Sequence, residues 1–158
     1  MQQSRLGTLL FITALILGVW LLRPDKPAPA FSLPETDGGR VDLASYSGRP
    51  VLLVFWTSSC PICQSELPML NRLEPELRGK GIAVVTILLG GENEAREFFD
   101  SNRIGLTSLY DSEGKVGRAY GVGGVPKFVL IGKDGKIKRS ASGYTNESVL
   151  LHWADAAS

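Results

Sequence analysis

Apolar residues along this chain form unbroken runs, helical repeats and short alternations, and each pattern predicts a different element. The first run, Leu6 to Leu22, is 17 residues without a charge, set between Arg5 and Arg23. As a helix it would be about 25 Å long, at the short end of what crosses a bilayer core of about 30 Å. Two later runs, Val51 to Trp56 (VLLVFW) and Ile82 to Leu89 (IAVVTILL), predict strands covered on both faces. Between them Leu67, Leu70, Leu73 and Leu77 lie three or four apart. They predict a helix that opens at Pro61, is kinked at Pro68 and is ended or kinked again at Pro75. Glu92 to Asn102, with Ala95, Phe98 and Phe99 inward, predicts a second helix. Lys115 to Tyr120 is a short helix at most, and Asn146 to Ala156 closes the chain as an amphipathic one. Short extended pieces at Phe31 to Leu33 and Arg40 to Leu43 flank the turn Asp37-Gly38-Gly39. Lys127 to Ile131 and Lys136 to Ser140 predict a hairpin over Gly132-Lys133-Asp134-Gly135, which carries the Asp-Gly turn signal. The order predicts an α/β domain whose central mixed β-sheet is flanked by helices on both faces.

Composition adds boundaries. At 158 residues, 44% apolar and 21% charged, the chain has enough material for one ordinary domain with a core. A formal net charge of +1 offers nothing to recruit nucleic acid. The chain divides into a membrane segment at 1–23, a linker at 24–30 and a folded domain at 31–158. Ala28-Pro29-Ala30 resembles a small-residue cleavage site, so a cleaved signal peptide competes with an N-terminal transmembrane helix. The anchor reading is preferred, because the apolar run is longer than a usual signal core and the cleavage site lies eight residues past Leu22 and contains a proline. Trp20 would then sit near the membrane interface. Arg5 on one side and Arg23 and Lys26 on the other nearly balance, so the positive-inside rule hardly orients the segment. N-terminal segments of this kind export the domain behind them, which places 24–158 outside the cytoplasmic membrane on a single-pass anchor. Pro24, Pro27 and Pro29 make the linker a stiff, extended tether.

Both cysteines of the chain lie in FWTSSCPICQ, as Cys60 and Cys63. Cys60 falls where the strand ends and the helix begins, with Pro61 as first helical residue, where its missing N–H costs nothing. Its sulfur would face unpaired N–H groups and the positive end of the helix dipole, which favours the attacking thiolate. Cys63, one turn on, lies beneath it and can resolve a mixed disulfide from within. A structural bridge closing so short a loop would be a poor staple. A closed metal site needs four ligands, and the one histidine, His152, is far along the chain on the last helix. The pair therefore reads as a redox couple, with no metal site. A second signal is Val125-Pro126, directly before a strand, where proline is either a turn residue or a cis peptide that exposes backbone beside the sulfurs.

These residues resemble the thioredoxin superfamily, and within it the membrane-anchored TlpA/ResA branch, from about Pro27 to the C-terminus. PAPAFSLPETDGGRVDLASYSGRPVLLVFW is similar to the branch's redoxin-like opening segment. SSCPICQSELPML is similar to its active-site helix, and GVPKFVLIGKDGKI to its proline loop and hairpin. The resemblance implies a thioredoxin-like fold in which Cys60 attacks, Cys63 resolves, and Val125 and Pro126 hold the partner's backbone. It also implies substrate contact at Trp56, Pro61 and Ile62. Some members use a glutamate after the second core strand, which makes Glu92 an acid/base candidate, although it would equally cap its helix. Three positions depart. Val54 stands where relatives carry an acid or amide, which leaves the proton acceptor for Cys63 unidentified. Ser59 replaces a Trp before the cysteine. Lys127 replaces a Thr after the proline, and its charge would favour thiolate if the ammonium pointed at the sulfurs.

The implied activity is thiol–disulfide exchange, in the reducing direction common to the branch, with no cofactor beyond the Cys60–Cys63 disulfide. The implied partners are disulfides in exported proteins, including apocytochromes c, copper-site cysteines or one particular disulfide-rich enzyme, with a membrane electron donor of the DsbD/CcdA type. A monomer is expected. A peroxiredoxin is the first alternative, since Thr57 stands three before Cys60, but the proline expected seven before it is Leu53. A copper chaperone is the second, but it would use a wider cysteine spacing and a histidine from a distal loop.

Overall fold

Strand β3, Val51–Trp56, is buried at every position, and the rest of the domain is arranged about it. The computed structural model describes residues 25–157. The membrane segment expected at 1–23 lies outside the described residues, and no helix among the described residues is long and apolar enough to cross a membrane. In chain order the elements are β1 (Ser32–Pro34), β2 (Arg40–Asp42), a 3-10 turn at Leu43–Tyr46, β3, α1 (Pro61–Gly79) and β4 (Ala83–Leu88). There follow α2 (Glu92–Asn102), β5 (Thr107–Tyr110), α3 (Lys115–Ala119), β6 (Lys127–Ile131), β7 (Ile137–Ser142) and α4 (Glu147–Ala157).

β1 and β2 form a small sheet of their own, and the main sheet has the order β5-β4-β3-β6-β7. β3, β4 and β5 are parallel, while β6 and β7 are antiparallel to their neighbours, so the sheet is mixed. Side chains of β3 alternate between two cores. Leu52, Val54 and Trp56 join the leucines of α1 with Phe99 of α2 and Leu150 of α4. Val51, Leu53 and Phe55 join Phe31, Leu33 and Tyr120 on the opposite face. Three of the four helices therefore share one face, and the N-terminal segment helps to cover the other.

The structure differs from the sequence expectation in three places. Thr107–Tyr110 is a strand that the pattern of apolar residues does not announce. It is too short to carry a period, and it is fixed by parallel pairing with β4 and by Thr86 Oγ1 donating to the Thr107 carbonyl at 3.0 Å. Of the two outcomes expected at Pro75, an end or a further kink, the end does not occur, and helix α1 continues to Gly79. Each internal proline costs about 3 kcal/mol. Leu67, Leu70, Leu73 and Leu77, all 2% exposed or less, offset this at roughly 1.5–3 kcal/mol each. Residues 26–30 are docked on the domain, where the sequence suggests only a stiff, extended tether. Ala28 N–H donates to the Gly135 carbonyl at 2.9 Å, Ile137 N–H to the Lys26 carbonyl at 2.8 Å, and Tyr120 Oη–H to the Pro29 carbonyl at 2.7 Å.

Candidate active site

The site is built where β3 runs out and α1 begins. Cys60 is the residue that caps α1, with extended backbone angles (φ −90°, ψ 110°), and Pro61 occupies the first turn. The Cys60 sulfur accepts the Cys63 N–H at 3.2 Å, which satisfies one of the unpaired donors of the helix start. The Cys60 thiol in turn meets the Val125 carbonyl at 3.7 Å. The Val125–Pro126 peptide is cis. Gln64 Nε2 donates to the Ser58 carbonyl at 2.7 Å and ties the turn before Cys60 to the helix after it.

Both cysteines are free thiols, and they differ in access. Cys60 is half-buried, whereas Cys63 is 1% exposed. Burial pushes the Cys63 thiol up to about 12, helped by the Cys60 side chain and opposed by a hydrogen bond to the Thr57 backbone. An inner thiol held so firmly protonated needs a base beside it before it can attack.

That base candidate is Glu66, a residue that sequence reasoning missed. It lies on α1 one turn past Cys63, is 4% exposed, and shares a crevice with Val54, Trp56, Cys63, Pro126 and Phe128. Its Oε1 accepts the Thr145 N–H at 2.5 Å, while Oε2 has no hydrogen-bond partner among the described residues. Burial raises the carboxyl above its ordinary range, and the Thr145 N–H pulls it back in part. The acid missing from the strand at Val54 is thus replaced by one delivered from the helix into the same crevice. A signal was present: positions 60, 63 and 66 are spaced by three, so all lie on one side of a helix. A glutamate adjoining the buried Leu67 on that side has no reason to be there for packing.

The other site candidates divide. Pro61 and Ile62 are exposed beside Cys60. Trp56 is wholly buried, its ring tilted against Phe98 at 5.2 Å and Phe99 at 5.7 Å between centroids, so it supports the site from below and does not offer a surface to a partner. Glu92 is engaged by Arg96 and Tyr110, a network that includes neither cysteine. The Lys127 ammonium is held by backbone carbonyls. It binds the Tyr120 and Gly121 carbonyls at 3.0 and 2.9 Å, where it pins the start of the loop that carries Val125.

A thioredoxin-like sheet with an outer and an inner thiol at the head of its central helix defines a thiol–disulfide oxidoreductase. The chain belongs to the AhpC/TSA family, whose profile matches residues 24–140. It is 35% identical over 128 residues to the thiol-disulfide oxidoreductase ResA of Geobacillus thermodenitrificans, spanning 79% of this chain and 73% of that one. Among solved structures it is similar to a protein of Chlorobium tepidum assigned as thiol:disulfide interchange protein DsbE. That match has a TM-score of 0.78 and 30% identity over 87% of this chain and 99% of that one. It is also similar to the exposed lipoprotein thioredoxin Etrx1 of Streptococcus pneumoniae, with a TM-score of 0.74 and 28% identity over 81% and 99%.

Proposed function

We propose that the protein is a membrane-tethered reductant of disulfides in exported proteins, working outside the cytoplasm as a monomer. The observation that carries this is the buried carboxylate of Glu66 beside an inner thiol that is held protonated. The Cys60 thiolate attacks one sulfur of the partner's disulfide. A Cys60–partner bond forms, the partner's S–S bond breaks, and its second sulfur leaves as a thiolate that takes a proton. Cys63 gives its proton to the ionised Glu66 and attacks the Cys60 sulfur. The Cys60–Cys63 disulfide forms and the partner's first sulfur is released, so the partner gains two electrons and the enzyme loses two.

Val125 and Pro126 hold the partner's backbone at the edge of the site. Re-reduction requires a membrane dithiol donor of the DsbD/CcdA type, and no cofactor other than the cysteine couple takes part. Exported disulfide proteins, apocytochromes c among them, are the substrate class. The relatives' names support the chemistry, and the uncharged run Leu6 to Leu22 supports the tether.

The test is trapping. Full-length Cys63→Ser, expressed with its anchor segment, should accumulate mixed disulfides that reducing agent releases, and Cys60→Ser should accumulate none. Equal capture by both variants would remove the assigned roles. Mass spectrometry of the released partner names the substrate. Turnover of hydrogen peroxide by the wild type, without exchange on any dithiol, would favour the peroxiredoxin alternative.

A further inference from the structure

An aromatic ring left in water beside a redox site asks for a purpose. Ile62, Tyr144 and Val149 are the large apolar side chains that stand exposed among the described residues, at 44%, 73% and 37%. Tyr144 is the most exposed, yet the chain is hydrogen-bonded on both sides of it. On one side Gly143 N–H donates to the Pro126 carbonyl at 2.8 Å, and Gly143 adopts φ +84°, a conformation that side-chain-bearing residues avoid. On the other side Thr145, 5% exposed, donates its N–H to Glu66 Oε1 at 2.5 Å. The ring therefore stands on a three-residue strap between the cis-proline and the carboxylate that serves Cys63.

Ile62 belongs to the same helix as Glu66, the residue that anchors the strap. Glu66 is four residues past Ile62 on α1, which is about one turn or 6 Å of rise on the same side of the helix. Tyr144 is thus tied through its neighbours to Pro126, which follows the Val125 carbonyl that meets the Cys60 sulfur, and Ile62 is exposed two residues past Cys60 at this end of the helix. Cys60 can act only when a polypeptide lies across this end, so the apolar pair adjoins a surface that the reaction itself brings into contact.

We propose that Tyr144 is a specificity-determining residue: with Ile62 it receives an apolar side chain next to the cysteine under attack in the partner. The occupant is an extended or locally opened polypeptide with a branched aliphatic or aromatic residue flanking its disulfide. A charged neighbour would lose its hydration against the ring and bind less well. Aromatic residues are suited to such contacts because they present a large, rigid surface. This inference rests on exchange at Cys60 and adds to it the sequence context that Cys60 prefers.

The experiment uses the reduced full-length chain and a pair of synthetic disulfide peptides, one with Leu on both sides of each cysteine and one with Gly there. Second-order rate constants for reduction give a Leu/Gly ratio within each variant, so a loss common to both peptides cancels. The wild type is expected to prefer the Leu peptide about tenfold, equivalent to about 1.4 kcal/mol. Tyr144→Ala should bring the ratio close to one, Ile62→Ser should lower it, and Tyr144→Phe should retain it. Lys138→Met, on the distant hairpin, should leave it unchanged. A wild-type ratio near one, a ratio that survives Tyr144→Ala, or a ratio lost in Tyr144→Phe would each overturn the proposal. If the wild type reduces neither peptide, exchange at Cys60 itself fails and the inference falls with it.

Discussion

The two ends of the main sheet are built on opposite terms. At the hairpin end, charged groups are at the surface and paired: Lys138 meets Asp25 at 2.6 Å and Asp134 at 2.8 Å, and the docked residues 26–28 are hydrogen-bonded to 135–137. At the cysteine end, polar atoms are buried and left partly unmet. Two of the three buried side-chain polar atoms without a partner among the described residues are Trp56 Nε1 and Glu66 Oε2, both on the crevice behind Cys63. A buried carboxylate costs several kcal/mol unless it is paired, so Glu66 is retained at the expense of stability. The hairpin end shows how this chain holds a fold together, and the cysteine end shows where it keeps a buried polar group that packing alone would not ask for.

Substitutions can break that contrast. The largest effect is expected at Glu66. Glu66→Gln keeps an oxygen for the Thr145 N–H but cannot take the Cys63 proton, so release of a mixed disulfide should slow by about 10²-fold. Stopped-flow thiol exchange measures this. In the wild type the release rate should rise with pH through a carboxyl limb lying above the usual carboxylate range, and the limb should vanish in the variant. Persistence of the limb would exclude Glu66 as the acceptor.

The same variant sharpens the contrast on the stability side. Because burial raises the folded carboxyl above its unfolded value, the unfolded chain loses that proton first as pH rises. The stability tied to the neutral carboxyl is complete below the ordinary carboxylate range and is lost as pH climbs through the raised value. Thermal unfolding should therefore find Glu66→Gln level with the wild type near pH 4 and increasingly more stable toward neutrality.

Away from the cysteines, single changes should matter less. Tyr120→Phe removes the hydroxyl that holds the Pro29 carbonyl and should cost about 1 kcal/mol, or about 4 °C in unfolding temperature. The slower release expected of Glu66→Gln should have no counterpart there. The smallest effect is expected for Lys138→Met, whose partners are solvent-exposed ion pairs, with a shift of no more than about 2 °C, further reduced by salt. A large loss at Lys138 would mean that the hairpin end carries more of the fold than its exposure suggests.

Much of the molecule was legible in the sequence, for local reasons. β3 and β4 are runs that only a doubly covered strand needs, and Cys60-Pro61 reads as a helix cap because proline tolerates the first turn and little else in a helix. The 107–110 strand was not legible, because four residues carry no period and their pairing partner is some twenty residues earlier in the chain, as Thr86 and Thr107 illustrate. Trp56 was misplaced for a related reason. The sequence puts it next to the site, but whether an indole faces a partner or the core depends on Phe98 and Phe99 arriving from α2.

The chain's own order thus determined which atoms could do redox chemistry and at which helix head they stand, since caps, strand periods and a three-residue spacing are set within a few residues. The tertiary structure alone decided which acid lies beside them. Val54 and Glu66 are twelve positions apart and become alternatives only when β3 and α1 close on one crevice. Glu92, equally acidic, is drawn off by Arg96 and Tyr110. Ionisation depends on burial and neighbours, and those exist only once the chain has folded.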